Sequence, residues 1–136
     1  MAEQETVVIR SKEVFYRGVN VEELKKLDVR EVAKYLPSRS RRSVLRNFQT
    51  IENFVKRCET SALSKKKIRT HLRDIIIVPR LVGLTISIYN GKTFNDLIVT
   101  HRMIGHRLGE FSLTRVRVTH GTAGIGATKG TKGVKK

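Results

Sequence analysis

The strongest constraint on the fold lies in residues 84–99. Leu84-Thr-Ile-Ser-Ile-Tyr89 alternates apolar and polar side chains, Asn90-Gly91 turns the chain, and Phe94-Asn-Asp-Leu-Ile-Val99 returns. Alternation at period two around Asn-Gly specifies a β-hairpin with one buried face. A two-residue loop at Asn90-Gly91 pairs Ile86 with Asn95 and Leu84 with Leu97. A four-residue loop, Asn90 to Thr93, pairs Tyr89 with Phe94, Ile86 with Leu97 and Leu84 with Val99. Both keep Leu84, Ile86, Ile88, Leu97 and Val99 on one face, because they differ by an even step. The longer loop is favoured, since it gains an aromatic pair and better apolar matching across the strands.

The flanking segments read as mixed. Val14-Phe15-Tyr16-Arg17-Gly18 is a short apolar patch ended by a turn. Asn20 with Glu23, and Asp28 with Glu31, have capping-box spacing, so short helices are expected at 21–26 and 29–36, with Leu24, Leu27, Val32 and Leu36 inward. Pro37 ends the second. Ser38 then caps a third helix over 39–57, whose stripe is Val44, Leu45, Phe48, Ile51, Val55 and Cys58. Cys58 reads as a small core hydrophobe, since no activating partner for a thiol is evident. Residues 59–69 read as a basic connector. Asp74-Ile-Ile-Ile-Val-Pro79 reads as a buried strand, residues 101–108 as a helix capped by Thr100, and Phe111 to Val118 as an edge strand. The expected fold is α+β: a small twisted sheet built on the hairpin, with flanking helices. Its divisions are a flexible N-terminus (1–13), a helical region with the connector (14–68), an α+β core (69–118) and a flexible basic tail (119–136).

Charge narrows the partner. The chain of 136 residues carries 28 Lys plus Arg against 12 Asp plus Glu, a net +16. Self-repulsion at that charge opposes compaction unless counter-charge is present, and a nucleic-acid backbone is the natural source. The basic residues come in acid-free blocks. Residues 32–51 hold Arg39, Arg41, Arg42 and Arg46. Residues 60–73 hold Lys65, Lys66, Lys67, Arg69 and Arg73. Residues 111–136 hold Arg115, Arg117, Lys129, Lys132, Lys135 and Lys136. A single block of this kind is usually a solvated face; three in so short a chain indicate a polyanion. An anionic membrane would require a basic amphipathic helix with large apolar anchors. No run reaches the ~18 apolar residues of a span, and the first residues lack a signal peptide's basic and apolar regions, so a cytosolic protein with no membrane partner is expected. Aromatics are 6% with no Trp, which disfavours a base-stacking single-strand binder and favours backbone and shape recognition of folded RNA. A DNA-compacting chromatin protein is the competing reading, but it would not need a specific hairpin.

Catalytic readings fail on spacing. His71, His101, His106 and His120 form no metal pair, and His106 with Glu110 reads as a surface ion pair. Gly124-Ile-Gly126 lacks a third glycine at 129, and a Walker loop from Gly121 meets Ala127 where Lys is required. No enzyme activity, metal or cofactor is expected.

Three blocks carry a resemblance: His71-Leu-Arg-Asp-Ile-Ile-Ile-Val-Pro79, Val82-Gly-Leu-Thr-Ile-Ser-Ile-Tyr-Asn-Gly-Lys92 and Met103-Ile-Gly-His-Arg-Leu-Gly-Glu-Phe-Ser-Leu-Thr114. They resemble the S-nineteen family of small-subunit ribosomal proteins (S-fifteen in eukaryotes). Tyr16-Arg-Gly18, the helical first half and His120-Gly…Gly124-Ile-Gly-Ala-Thr128 resemble its archaeal and eukaryotic branch, and the ending favours an archaeal source. The resemblance implies a non-catalytic protein of the subunit head, bound to small-subunit ribosomal RNA and next to the S-thirteen family protein. It implies a C-terminal tail that approaches the decoding site and its transfer RNA. RNA contact is then expected from the basic residues of the three blocks, from Arg80, His106 and Arg107, and from the hairpin tip Asn90, Gly91 and Lys92. The tip is expected to offer backbone amides and Lys92 to phosphate. Two departures stand out. Arg80 follows Pro79 where relatives usually carry an acid, and Thr122-Ala123 stands where relatives often have Arg-Pro.

Overall fold

The computed structural model describes residues 13–117. The chain opens with a two-stranded ribbon, β1 (Phe15–Tyr16) and β2 (Val19–Asn20), closed by Arg17 and Gly18, both at positive φ. Helix α1 (Val21–Lys26) follows, with the Asn20 side chain accepting from the Glu22 amide at 3.0 Å. Helix α2 (Val29–Val32) starts at Asp28, whose amide donates to Glu31 Oε2, and passes into a 3-10 turn, Ala33–Tyr35. Leu24, Val32 and Leu36 are buried as expected, while Leu27 is half-buried.

The single helix expected over 39–57 is two. Helix α3 (Ser38–Arg46) and helix α4 (Phe48–Leu63) meet at Asn47, which lies outside helical geometry (φ −107°, ψ 26°). Asn47 donates to the Ser43 carbonyl and accepts from the Ile51 amide, so it ends one helix and starts the next. The apolar steps from Val44 to Phe48 to Ile51 run on in helical register across this junction, so periodicity alone conceals it. Its cost falls on Leu45, which is 54% exposed, while Phe54, absent from the expected stripe, is buried. The stretch after residue 57 contains no breaker, and α4 runs on to Leu63. Cys58 is fully buried, and burial pushes its thiol up to about 11, so it is inert packing.

The sheet has three strands in the order β3-β4-β5. The hairpin is β4 (Thr85–Tyr89) and β5 (Phe94–Ile98), in the four-residue register: Tyr89 opposite Phe94 and Ile86 opposite Leu97. Strand β3 (Ile68–Thr70) lies parallel to β4, inside the stretch read as connector. Three residues are too few to show a period. A parallel neighbour needs a long crossover, and residues 71–84 supply it.

That crossover contains the segment expected to be a strand. Ile75 to Val78 are all at most 5% exposed, but they do not join the sheet. They pair with the loop 105–109 instead: Ile77 donates to the His106 carbonyl, Gly105 to that of Ile77, and Leu108 to that of Ile75. This pairing excludes the helix expected at 101–108. Two 3-10 turns, His101–Met103 and Leu108–Phe111, stand there, with Gly105 at φ +86° between them. A Cβ at Gly105 would lie 3.3 Å from the Tyr16 hydroxyl and 3.4 Å from Pro37, and Ser40 Oγ donates to the Gly105 carbonyl. This glycine is where the N-terminal helices seat on the rest of the molecule. The edge strand expected from Phe111 is absent over residues 112–117, where Leu113 and Val116 are solvent-exposed. One apolar core joins the helical and sheet parts: Val29, Leu36, Val44, Ile51 and Val55 pack with Ile75 to Val78, Ile86, Ile88 and Leu108.

Candidate nucleic-acid interface

Helix α3 concentrates the charge. Arg39, Arg42 and Arg46 follow at steps of three and four, which places them on one ridge roughly 10 Å long. All three are exposed, and none joins an ion pair among the described residues. The helix holds no acid, and Leu45 lies beside the ridge. Arg41, in the same block, borders the same hollow but is engaged within the protein. Its guanidinium donates to the carbonyls of Ala33, Lys34 and Leu36, capping the end of the preceding turn.

Lys65, Lys66 and Lys67 form the exposed loop after α4, which leaves the helix through Lys65 at φ +52°. They line a cleft with Gly83, Thr85 and Asp96. Asp96 accepts from the nearly buried Ser87 hydroxyl, so this basic loop does face one carboxylate. Arg69 is exposed, with its guanidinium 5.4 Å from the Phe94 ring.

At the hairpin tip, Gly91 adopts φ +101° and Lys92 is exposed. Most of the tip's amides are not open to the phosphate expected there. Asn90 Oδ1 accepts from the Lys92 amide at 2.9 Å and the Thr93 amide at 2.8 Å, and Asn90 donates to the Thr93 carbonyl. Those two amides close the turn, and the Gly91 amide, without a partner among the described residues, and the exposed Lys92 ammonium are the donors the tip keeps open. Replacing Asn90 with Ala is expected to lower stability by about 1–2 kcal/mol, chiefly through loss of the side-chain bonds to the Lys92 and Thr93 amides. Urea unfolding checks this as a shifted midpoint at constant slope.

Several other expected contact residues have internal partners. Arg73 donates to the carbonyls of Tyr89, Gly109 and Ser112. Arg80 donates to the Lys25 carbonyl at the last turn of α1. A carboxylate there would face that carbonyl oxygen instead. Arg107 reaches Asp74 at 3.1 Å, and its amide donates to Glu110. His106 Nδ1 lies 2.7 Å from Glu110 Oε2 in an exposed pair, as its spacing indicated. The Arg107 amide, followed by His106, holds the Glu110 carboxyl below its usual range. Arg115 and Arg117 are exposed; Lys129, Lys132 and the whole segment 118–136 lie outside the described residues.

The structure also assembles aromatic rings that composition did not suggest. His71, Tyr89 and Phe94 cluster just below the hairpin tip, with centroids 4.6 to 5.2 Å apart. The Tyr89–Phe94 pair follows from the strand register. His71 joins it only because β3 lies beside β4. Among the described residues no group of His, Cys, Asp or Glu could hold a metal ion, and no helix is long and apolar enough to cross a membrane.

Comparison with known proteins places this arrangement. The family described as ribosomal protein S19 matches residues 38–120, from the start of α3 through the sheet and the 105–111 loop. The small ribosomal subunit protein uS19 of Methanocella arvoryzae is 50% identical over 127 residues, covering 90% of this chain and 86% of the relative. That of Halorubrum lacusprofundi is 48% identical over 125 residues, covering 89% of each. Identity at this level extends well beyond the hairpin, through both the helical half and the sheet, and so the chain belongs to the ribosomal protein S19 family in its archaeal form, a family of structural proteins without enzymatic activity.

Proposed function

We propose that this protein is a structural constituent of the small-subunit head, docked on small-subunit rRNA in the cytoplasm. The observation that carries the docking is the α3 ridge, where three exposed guanidiniums line up with no acid on the helix. Guanidinium forks hold phosphate oxygens with two parallel bonds. Lys65 to Lys67, Arg69 and Lys92 add further cationic points on other elements. Residues 119–136, rich in Gly and Lys, are proposed to run from the head toward the decoding site and its tRNA, and the S-thirteen family protein is the proposed neighbour. Residues 121–136 reach roughly 50 Å when extended.

Sedimentation of cell extract tests the docking. The protein is expected to co-migrate with small subunits at low salt, and a wholly free or chromatin-bound pool defeats the reading. Removal of residues 119–136 is expected to leave that co-migration largely intact and to impair tRNA selection. Loss of assembly in the truncated protein would make the segment an anchor instead.

A further inference from the structure

We propose that the open face of the three-stranded sheet holds a short unpaired stretch of the bound RNA, with its bases stacked on the groups below the hairpin tip. The proposal rests on the rRNA reading above and names the kind of RNA that this face takes. Side-chain alternation separates the two faces. Ile68, Ile86 and Ile88 point into the core and are at most 6% exposed. Arg69, His71, Tyr89, Phe94 and Asp96 point the other way. That side is open: Arg69, His71, Thr85 and Asp96 are exposed, and Ile98, opposite Thr85, is 65% exposed. An uncovered sheet face that carries rings is a general surface for stacking unpaired bases.

The stacking groups are preformed. Tyr89 and Phe94 are half-buried and hold the exposed His71 imidazole, at 4.6 and 5.2 Å between centroids. Two residues earlier in the chain, Arg69 is also exposed, with its guanidinium 5.4 Å from the Phe94 ring centre. Imidazole and guanidinium are both planar groups on which bases stack. Residues two apart along a strand stand about 6.6 Å apart, so the pair offers neighbouring stacking positions. Phe94 supports both, so each loses little side-chain freedom when a base arrives.

Charge complementarity selects RNA as the occupant and sets its course. Lys65, Lys66 and Lys67 line a hollow of about 340 Å³ whose other wall includes Thr85, Ser87 and Asp96 of this same face. The exposed Lys92 stands at the opposite end, in the hairpin tip. Cations therefore bracket the face along β4, over roughly 13 Å from Thr85 to Tyr89. Between them Asp96 accepts from the Ser87 hydroxyl. Its carboxylate repels phosphate from the middle, so the backbone meets the lysines at the two ends and the bases lie over His71 and Arg69. A duplex would leave no base free for those groups. An apolar segment of a neighbouring protein would match Ile98 and the rings, but it would leave the bracketing lysines without counter-charge.

The test compares an RNA stem-loop, whose unpaired loop is about eight nucleotides long, with a blunt RNA duplex of equal phosphate number. The full-length protein is expected to bind the stem-loop about tenfold more tightly, within what stacking one base supplies. His71→Ala is expected to remove most of that preference while leaving duplex affinity within about twofold, which also shows that the variant folds. His71→Phe is expected to restore the preference. Arg69→Lys keeps the charge but loses the plane, so it should weaken the stem-loop severalfold at an unchanged salt slope. With 5-iodouridine in the loop, photo-crosslinks are expected at His71, Tyr89 or Phe94. Equal binding of both RNAs by the wild type, a preference that survives His71→Ala, or crosslinks confined to α3 overturns the sheet-face site and leaves the rRNA reading standing. Failure to bind either RNA overturns both. A His71→Ala protein that binds both RNAs as the wild type does, but enters small subunits poorly, overturns the site and gives the face to a protein neighbour.

Discussion

Replacing Arg39, Arg42 and Arg46 together with Glu is expected to weaken rRNA binding by about two to three decades at ~0.1 M salt, and to flatten its salt dependence by about 2.7 in slope. The slope follows from three phosphate contacts at ~0.9 counterions each, the value for duplex. The affinity loss follows from the same counterions at that salt. The three positions form one exposed ridge, so they meet one stretch of backbone together. Folding should survive, because none of the three joins an ion pair among the described residues. Glu at 39 also suits the first turn of α3, which offsets an unfavourable Glu at 46 in the last. Filter binding to an rRNA fragment across a salt series reads both quantities, and circular dichroism reads the fold. A slope equal to the wild type would show that α3 faces a protein neighbour. Arg41→Ala provides the contrast: its guanidinium caps three carbonyls, so it should lower stability more than it alters the salt slope.

The second large effect concerns stability. Replacing Arg73 with Ala is expected to destabilise the fold by roughly 3 kcal/mol, from charge-assisted bonds worth about 1.5–3 kcal/mol each that are not additive. One guanidinium collects carbonyls from the end of β4, from the Leu108–Phe111 turn and from the residue after it. Removing it leaves three half-buried acceptors without a donor and separates the hairpin from the loop that covers the core. Arg73→Lys should recover only part of the loss, because an ammonium lacks the planar fork. Urea unfolding reads the change directly. Stability within about 0.5 kcal/mol of wild type in Arg73→Ala would mean that water satisfies those carbonyls equally well.

The contrast between Arg39 and Arg73 shows where sequence reading stops. Both are arginines in acid-free basic blocks, and composition treats them alike. Only the approach of three carbonyls from residues 16 to 39 positions away distinguishes a staple from a phosphate ligand. The same limit explains Ile75 to Val78. A continuous apolar run announces burial but not a partner, and here the partner is a loop rather than a strand. His71 joins the ring cluster unannounced because it meets Tyr89 and Phe94 only through the pairing of β3 with β4.

Where neighbours in sequence are also neighbours in space, the sequence alone determined the outcome. The hairpin and its four-residue register, the caps at Asn20 and Asp28 and the burial of Cys58 all follow from side-chain period and local hydrogen bonding. Tertiary structure decided the helix break at Asn47, the parallel strand β3, the coiling of residues 101–111 around Gly105, and which arginines face solvent. Those features depend on contacts between residues far apart in the chain. Their free energies outweigh local propensity, and no pattern within a short window encodes them.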